Sequence, residues 1–201
     1  MIASVPYGTL VFIFIMGDCI VFLDGAYISL ISKHIGNKKH LNLDLKEFSL
    51  NLAKKQKLWY KEIYYYTCPP FQSNPPTNEE TKRKAGYDKF IAKIKNIGIN
   101  VREGRLQKIN EEFSQKGVDN LITIDLMKKA NFGIKNFILV TCDTDFVPVI
   151  KEVQKSYGVN VIIYYYKDKE NKSKFSMSDH ILSVCDKKIR LRKEDFERAK
   201  F

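Results

Sequence analysis

The chain has 201 residues, 44% of them hydrophobic, so it is long enough for one well-filled core and too short for two. Lysine and arginine number 34 against 23 aspartate and glutamate, which gives a formal net charge of +11 and a pI near 9.4. This balance favours a polyanionic partner, with a lysine-rich surface that serves solubility alone as the alternative.

The cysteines argue against a zinc site. They are far apart and form no C-x-x-C pair, and none of the three histidines lies at metal-ligand spacing from a cysteine. Cys19 and Cys142 are more simply explained as small buried hydrophobes on strands. The pattern is typical of a protein of the reducing cytoplasm, which is where we expect this one.

The amino-terminal segment does not resemble a signal or an anchor. Its apolar run at 10–16 is far shorter than a membrane span and is interrupted by Gly17 and Asp18. No basic region precedes the run, and no small-residue cleavage site follows it. We therefore expect no membrane partner and assign residues 1–16 to an N-terminal extension or an additional edge strand.

The first part of the chain predicts a strand at 20–23, helices at 26–35 and 43–55, and a second strand at 59–67. The segment that follows, 68–76, contains two Pro-Pro pairs. Proline cannot donate to a sheet ladder, and long loops in compact domains are commonly functional. We therefore predict a loop that overhangs a site.

The remainder of the chain continues the alternation of helices and strands. Strands that alternate with helices imply right-handed crossovers and a parallel sheet covered on both faces. The predicted elements are a lysine-rich helix at 78–96, a strand at 99–105, a helix from near Gly117, a strand at 137–141, a helix at 145–157 and a strand at 159–166.

These elements predict one α/β domain over residues 17–186. Residues 187–201 alternate charged and apolar side chains, with seven basic residues against three acidic ones. We interpret them as a basic C-terminal tail packed on or appended to the domain. Such a tail presents either a solvated face or a nucleic-acid contact.

Carboxylates follow two of the predicted strands. Asp24 comes directly after the first, and Asp143 and Asp145 follow the apolar run at 137–140. Ligand chemistry in open α/β sheets gathers at the carboxyl ends of strands, where these acids converge if the strands are neighbours. Clustered carboxylates repel each other unless a cation joins them, and oxygen-only ligands suit Mg²⁺ or Mn²⁺. The alternative for one of the latter two acids is a helix N-cap.

Two further acids lie on the helix that begins near Gly117. Asp119 in its first turn suits the helix dipole, which is a sufficient structural explanation. Asp125 falls on the same side as Ile122 and so points inward, where it needs a cation, a lysine or arginine, or backbone donors. Six residues apart, the two acids lie on different helix faces, so we expect only one of them to reach a given metal ion.

Several motifs occur together in a fixed order along the chain. They are Asp24-Gly25-Ala26, Tyr64-Tyr65-Tyr66 before the proline-rich loop, Lys116-Gly117-Val118-Asp119 followed by Asp125, and Thr141-Cys142-Asp143-Thr144-Asp145-Phe146 followed by Pro148, Ile150 and Gly158. This set, which spans roughly residues 20–166, resembles the NYN domain, LabA-like branch, of the PIN-like nuclease fold. The resemblance implies a three-layer α/β/α sandwich with a central, mainly parallel sheet. It also implies an acidic pocket that holds Mg²⁺ or Mn²⁺ and endonucleolytic cleavage of RNA.

The resemblance assigns roles by position. Asp24, Asp119 and Asp143 correspond to the principal metal-site acids, with Asp145 and Asp125 completing the pocket. Lys116 either stabilises the charge that develops in the reaction or pairs with an acid. The predicted nucleic-acid contacts are Gly25, Tyr27, Lys82, Arg83, Lys84, Lys89, Lys116, Thr141 and Thr144, with Lys93, the three tyrosines and Phe71 as further candidates to hold the backbone or stack bases.

One residue departs from the family pattern. Tyr27 stands where the family commonly has an asparagine, so an amide that could orient the acid or contact a phosphate is lost. The predicted function is metal-dependent cleavage of RNA, and the alternative is a catalytically weak RNA-binding or regulatory module on the same fold. A phosphatase of the haloacid dehalogenase type would need an acid at position 26, which is alanine. PIN-like domains often form homodimers, for which the apolar extension is a candidate surface.

Overall fold

A six-stranded, all-parallel sheet forms the centre of the protein, in a computed structural model that describes residues 17–109, 112–167 and 178–200. The sheet order is β3-β2-β1-β6-β7-β8, and β4 and β5 form a separate antiparallel hairpin. The strands are β1 (Gly17–Asp24), β2 (Leu58–Thr67), β3 (Asn100–Glu103), β4 (Arg105–Ile109), β5 (Glu112–Lys116), β6 (Asn136–Val140), β7 (Asn160–Tyr166) and β8 (Lys187–Leu191).

Helices cover both faces of the sheet. On one face α1, α2, α3 and α7 enclose the first apolar cluster, and on the other α4, α5 and α6 enclose the second. The predicted three-layer α/β/α architecture is therefore confirmed. No helix in the described ranges is long and apolar enough to cross a membrane. The helices are α1 (Gly25–Ile35), α2 (Leu45–Lys55), α3 (Asn78–Asn96), α4 (Val118–Asn131), α5 (Val147–Tyr157), α6 (Asp179–Val184) and α7 (Lys193–Glu197).

The central strands are apolar along their whole length because they are buried on both faces. In β1, Val21 and Leu23 point into the first cluster while Phe22 points into the second. In the neighbouring strand β6, Ile138 and Leu139 divide between the two clusters in the same way. This two-sided burial explains why the sequence shows continuous apolar runs here.

The predicted strand at 99–105 is shorter than expected. β3 ends at Glu103, and Gly104 begins a turn into the β4–β5 hairpin, which the sequence pattern did not predict. A Cβ atom on Gly104 would lie 2.7 Å from the carbonyl oxygen of Lys116. Only glycine therefore allows the base of the hairpin to close at this point.

Residues 187–191, predicted as part of a charged tail, form the edge strand β8 and pair in parallel with β7. The following helix α7 packs Phe196 against Phe48 of α2, with ring centroids 5.1 Å apart. An edge strand is half exposed, so its alternation of charged and apolar residues is the same pattern that a solvated segment shows. Residues 1–16, predicted as an extension or edge strand, lie outside the described part of the chain.

Tyr27 connects α1 to the far end of β7. Its side chain is 1% exposed, and its hydroxyl accepts a hydrogen bond of 2.8 Å from the backbone N–H of Tyr166. Burial raises the pKa of this phenol, so the hydroxyl stays protonated at neutral pH. The residue that departs from the family pattern is thus part of the packing between helix and sheet.

We expect Tyr27→Phe to lower the free energy of unfolding by about 1–2 kcal/mol, because a partly buried hydrogen bond from the N–H of Tyr166 is lost. Urea denaturation measures this change. Tyr60→Phe is the control, since no hydrogen bond of the Tyr60 hydroxyl occurs within the described residues, and it should change stability by less than about 0.5 kcal/mol. Equal effects of the two variants would contradict a specific role for the Tyr27 hydroxyl.

Candidate active site

Asp24 lies at the carboxyl end of β1 and is the N-cap of α1. One carboxylate oxygen accepts a hydrogen bond from the backbone N–H of Tyr27 at 3.1 Å, and the other accepts one from the hydroxyl of Thr141 at 3.0 Å. Burial nevertheless raises the pKa of this carboxyl, and the charge of Asp143 raises it further. Asp24 is therefore an acid whose ionised form is costly in the absence of a cation.

Thr141 joins the two strand-end acids. It is 3% exposed and directly follows β6, the neighbour of β1 in the sheet. Its hydroxyl donates to Asp24 and accepts a hydrogen bond of 3.2 Å from the backbone N–H of Asp143. A single buried hydroxyl thus fixes the position of Asp24 relative to the loop that carries Asp143.

Asp143 caps a short 3-10 helix, Thr144–Phe146, which leads into α5. Its Oδ1 accepts a hydrogen bond of 2.9 Å from the backbone N–H of Asp145. Helix capping was one of two roles predicted for Asp143 and Asp145, metal binding being the other. Asp143 is the capping residue, and capping uses only one of its carboxylate oxygens. The side chain of Asp145 is exposed.

Asp119 reaches the same edge of the sheet from α4. The chain enters this helix through Gly117, whose φ of 82° is in the left-handed region that favours glycine. Loss of solvent raises the pKa of the Asp119 carboxyl, and the charges of Asp143 and Asp145 raise it further. The charge of Asp143 thus raises the pKa of both Asp24 and Asp119.

The four acids Asp24, Asp119, Asp143 and Asp145, called the acidic cluster below, carry uncompensated charge. Within the described residues, none of them forms an ion pair with a lysine, arginine or histidine. Their donors are all carboxylate oxygens, which fit a hard divalent cation such as Mg²⁺ or Mn²⁺. Over the same ranges, no three His, Cys, Asp or Glu side chains lie close enough together to form a complete metal site. The carboxylate oxygens of the acidic cluster are therefore the kind of ligand that a divalent cation prefers, although the four side chains do not lie close enough together to form a complete site.

Asp125 has a different environment. It is buried, and its Oδ2 accepts hydrogen bonds from the hydroxyl of Tyr66 at 3.0 Å and from Nε of Arg102 at 2.9 Å. The second guanidinium contact, from Nη2 of Arg102 to Oδ1, is 3.3 Å long. The sequence left open whether the partner of Asp125 is a cation, a lysine or arginine, or backbone donors. In the structure this partner is Arg102. Because the guanidinium of Arg102 already compensates the charge of this carboxylate, Asp125 is not a candidate metal ligand.

Three predicted nucleic-acid contacts are buried. Tyr27 and Thr141 are 1% and 3% exposed, so neither side chain can contact a nucleic acid directly. Gly25 is buried as well, and a Cβ atom there would lie 2.6 Å from the carbonyl oxygen of Tyr66 and 2.7 Å from the hydroxyl of Tyr65. The glycine is required by close packing on β2. These three residues are therefore corrected to structural roles.

The remaining predicted contacts lie at the surface. Lys82 and Arg83 are exposed on α3, and Lys84 forms an ion pair with Asp88 at 2.5 Å. Lys116 is exposed at the end of β5, three residues before Asp119. Thr144, at the start of the 3-10 helix, is partly accessible, and Lys89 is exposed and lines a cavity between α1 and α3.

The sequence pattern missed two features of this region. Arg102, the partner of Asp125, lies on a separate strand 23 residues away, and no local pattern connects the two. The role of Thr141 had a local signal, since threonine hydroxyls commonly accept from the N–H two residues ahead. Its second bond, to Asp24, spans 117 residues and depends on the sheet order.

A known protein family and a solved structure match most of this chain. The sequence profile of the NYN domain matches residues 18–191. Among solved structures, the crystal structure of a protein of unknown function from Vibrio parahaemolyticus RIMD 2210633 is similar, with a TM-score of 0.62 and 16% sequence identity. The match covers 90% of this chain and 96% of that one, and at this identity it supports the fold alone. A search of curated proteins found no match.

We expect Asp143→Asn to stabilise the metal-free protein at pH 7 by about 0.5 kcal/mol, because it removes the charge that opposes ionisation of Asp24 and Asp119. Carboxyls whose pKa is raised by folding stabilise the fold below the unfolded pKa of about 4, and this contribution is lost as the pH rises. The gain should therefore disappear near pH 3. Urea denaturation in EDTA at the two pH values measures it, and a variant less stable than wild type at pH 7 would contradict the repulsion.

Asp125→Asn is expected to lower the free energy of unfolding by about 2 kcal/mol, because Arg102 would keep a partly buried charge without its carboxylate. Asp88→Asn, which breaks the surface pair with Lys84, should cost less than about 0.5 kcal/mol. Chemical denaturation of both variants checks the difference. A loss no greater than that of the surface variant would show that the buried pair is not a stabilising element.

Proposed function

The chain belongs to the NYN domain family, and from this membership we propose that it is a metal-dependent endoribonuclease that hydrolyses RNA phosphodiester bonds at the acidic cluster. The observation that supports the proposal is the hydrogen-bonded link through Thr141, which joins Asp24 to the backbone of Asp143 where two neighbouring strands end. Uncompensated acids from three elements, gathered where the strands of a parallel sheet end, are costly to the fold. A site for a divalent cation accounts for that cost.

In this proposal Asp24, Asp119 and Asp143 hold Mg²⁺ or Mn²⁺, and Asp145 completes the set. When bound, the cation supplies the positive charge that acidifies water and offsets the charge on the scissile phosphate. Because burial raises the pKa of Asp24, this carboxyl releases a proton more readily once a cation is present. Cation affinity should accordingly increase with pH.

Other residues of the chain position the acids and the substrate. Thr141 holds Asp24 and the Asp143 backbone in one hydrogen-bonded chain, so the two acids keep their relative position through the reaction. We assign to Lys116, which is exposed three residues before Asp119, the role of stabilising negative charge on the phosphate. Lys82 and Arg83 on α3 extend a cationic surface for the RNA backbone, in agreement with the net charge of +11.

A second candidate function is RNA binding without cleavage. Two observations favour it: Tyr27 is buried where the family commonly has an amide, and in the described ranges no three potential ligands stand close enough to hold a metal ion. A protein of this kind would retain the cationic surface and the fold, and would bind RNA in the presence or absence of divalent ions.

The discriminating experiment is cleavage of a labelled mixed-sequence RNA with Mn²⁺, with Mg²⁺ and with EDTA. We expect cleavage in either metal, none in EDTA, and a loss of roughly 100-fold or more in Asp143→Asn, since the change removes a ligand charge and keeps both volume and capping. The matched control is Asp18→Asn. Asp18 lies near the amino end of β1, at the opposite end of the strand from Asp24, and forms an ion pair of 2.7 Å with Lys61. This variant should cleave like wild type.

Full activity in Asp143→Asn would refute the acidic cluster as the site. Cleavage that survives EDTA in the wild type would refute the requirement for a metal ion. RNA binding without cleavage in either metal would assign the protein to the second candidate function.

A further inference from the structure

A cavity of about 450 Å³ lies between α1, the loop that follows it and the second half of α3. Its walls are mainly apolar, with Ile28 of α1 and Ile94 of α3 on opposite sides and Tyr65 of β2 between them. The volume lies in the range of about 300–1,000 Å³ that is usual for small-molecule sites. We call it the α1–α3 cavity.

The cavity is adjacent to the acidic cluster and separated from it by Tyr65. In the sheet, Leu23 lies beside Tyr65 and Asp24 beside the next residue of β2. Ile28 and Ser29 line the cavity from the first turns of α1, the helix that Asp24 caps. One helical turn is about 5.4 Å, so we expect the neighbour of a nucleotide bound at Asp24 to reach the cavity along the first turns of α1.

Phe90 provides an aromatic wall. Its side chain is 37% exposed, although it is a large apolar residue beside the core. Tyr65 contacts it edge-on, with ring centroids 5.7 Å apart and an angle of 74° between the ring planes. A partly exposed aromatic ring that lines a cavity is suited to stack a planar aromatic ligand.

Helix α3 and the loop after α1 contribute polar and cationic side chains to the lining of the cavity. Lys89 and Lys93 both line the cavity and lie one turn apart on the same side of α3. No carboxylate lies within ion-pair distance of Lys89 in the described part of the chain. His40 also lines the cavity, and partial loss of solvent together with the charge of Lys33 lowers its pKa, so its neutral ring can donate and accept hydrogen bonds.

We propose that the α1–α3 cavity binds one unpaired base of the RNA substrate, stacked on Phe90, with the adjacent phosphate on Lys89 and Lys93. The inference rests on the proposed function and specifies its substrate as single-stranded RNA. An acyl chain would use the apolar walls but would make no use of Lys89 and His40. A base with its phosphate uses both, and the cavity borders the site where the chain would be cut.

This arrangement excludes an intact duplex from the cavity. A base reaches the cavity only when it is unstacked and unpaired, and unpairing costs least in loops, bulges and single strands. The protein should therefore prefer such segments because of the cavity, in addition to any preference of the acidic cluster.

The test uses a single-stranded RNA with one 2-aminopurine, a fluorescent base, and proteins that carry Asp143→Asn so that no cleavage interferes. We expect stacking to change the fluorescence on binding and Phe90→Ala to weaken binding by roughly 5- to 100-fold. Phe90→Tyr, which keeps the ring, should restore both signals. The matched control is Leu30→Ala, which shortens another partly exposed apolar residue, 44% exposed, on α1 outside the cavity.

Each other outcome overturns the inference. Unchanged binding by Phe90→Ala in the Asp143→Asn background, together with RNA cleavage by the wild-type protein, would remove the cavity and leave the proposed function intact. Equal losses in Phe90→Ala and Leu30→Ala would show a nonspecific effect. Oleate that stays bound when RNA saturates the protein would assign the cavity to an apolar ligand. Absence of RNA binding by the wild type would overturn both proposals.

Discussion

The parallel pairing of β1 with β6 is the constraint on which the candidate site depends. Its register sets Leu23 beside Val140, so the next residues, Asp24 and Thr141, meet at the point where both strands end. The hydrogen bond between them is possible only in this sheet order, since the two residues are 117 positions apart. Two apolar clusters hold the strands in place from opposite faces, and their burial offsets the electrostatic cost of acids that repel each other.

Two types of carboxylate follow from this arrangement, and their environments separate them. Asp125 is buried with an arginine and a tyrosine hydroxyl, so its charge is compensated within the fold. Within the described residues neither Asp24 nor Asp119 has a cationic partner, and the charge of Asp143 opposes their ionisation. A structural ion pair and one member of the acidic cluster thus occur on the same helix, α4, which carries Asp119 at its start and Asp125 further along. Helix α4 therefore links the Asp125–Arg102 ion pair to the acidic cluster, in which repulsion between carboxylates opposes folding.

The sequence alone was sufficient for the fold class and for most elements of the sheet, because strands buried on both faces leave continuous apolar runs such as 137–140. It failed where a pattern has two structural meanings. The alternation in 187–191 suits both an edge strand and a solvated tail, and only pairing with β7 decides between them. The helix period predicted that Asp125 points inward, whereas its partner Arg102 could be identified only from the tertiary structure. The burial of Tyr27 likewise depends on β7, which is remote in sequence.

The outermost strand, β8, has a consequence for how copies of the protein meet. Its sequence Lys187-Lys188-Ile189-Arg190-Leu191 places three cations on a strand whose outer backbone groups would otherwise attract another sheet. Lysines on an edge strand discourage such addition, because two copies brought edge to edge would oppose like charges. The charge on β8 therefore disfavours the joining of two sheets at this edge.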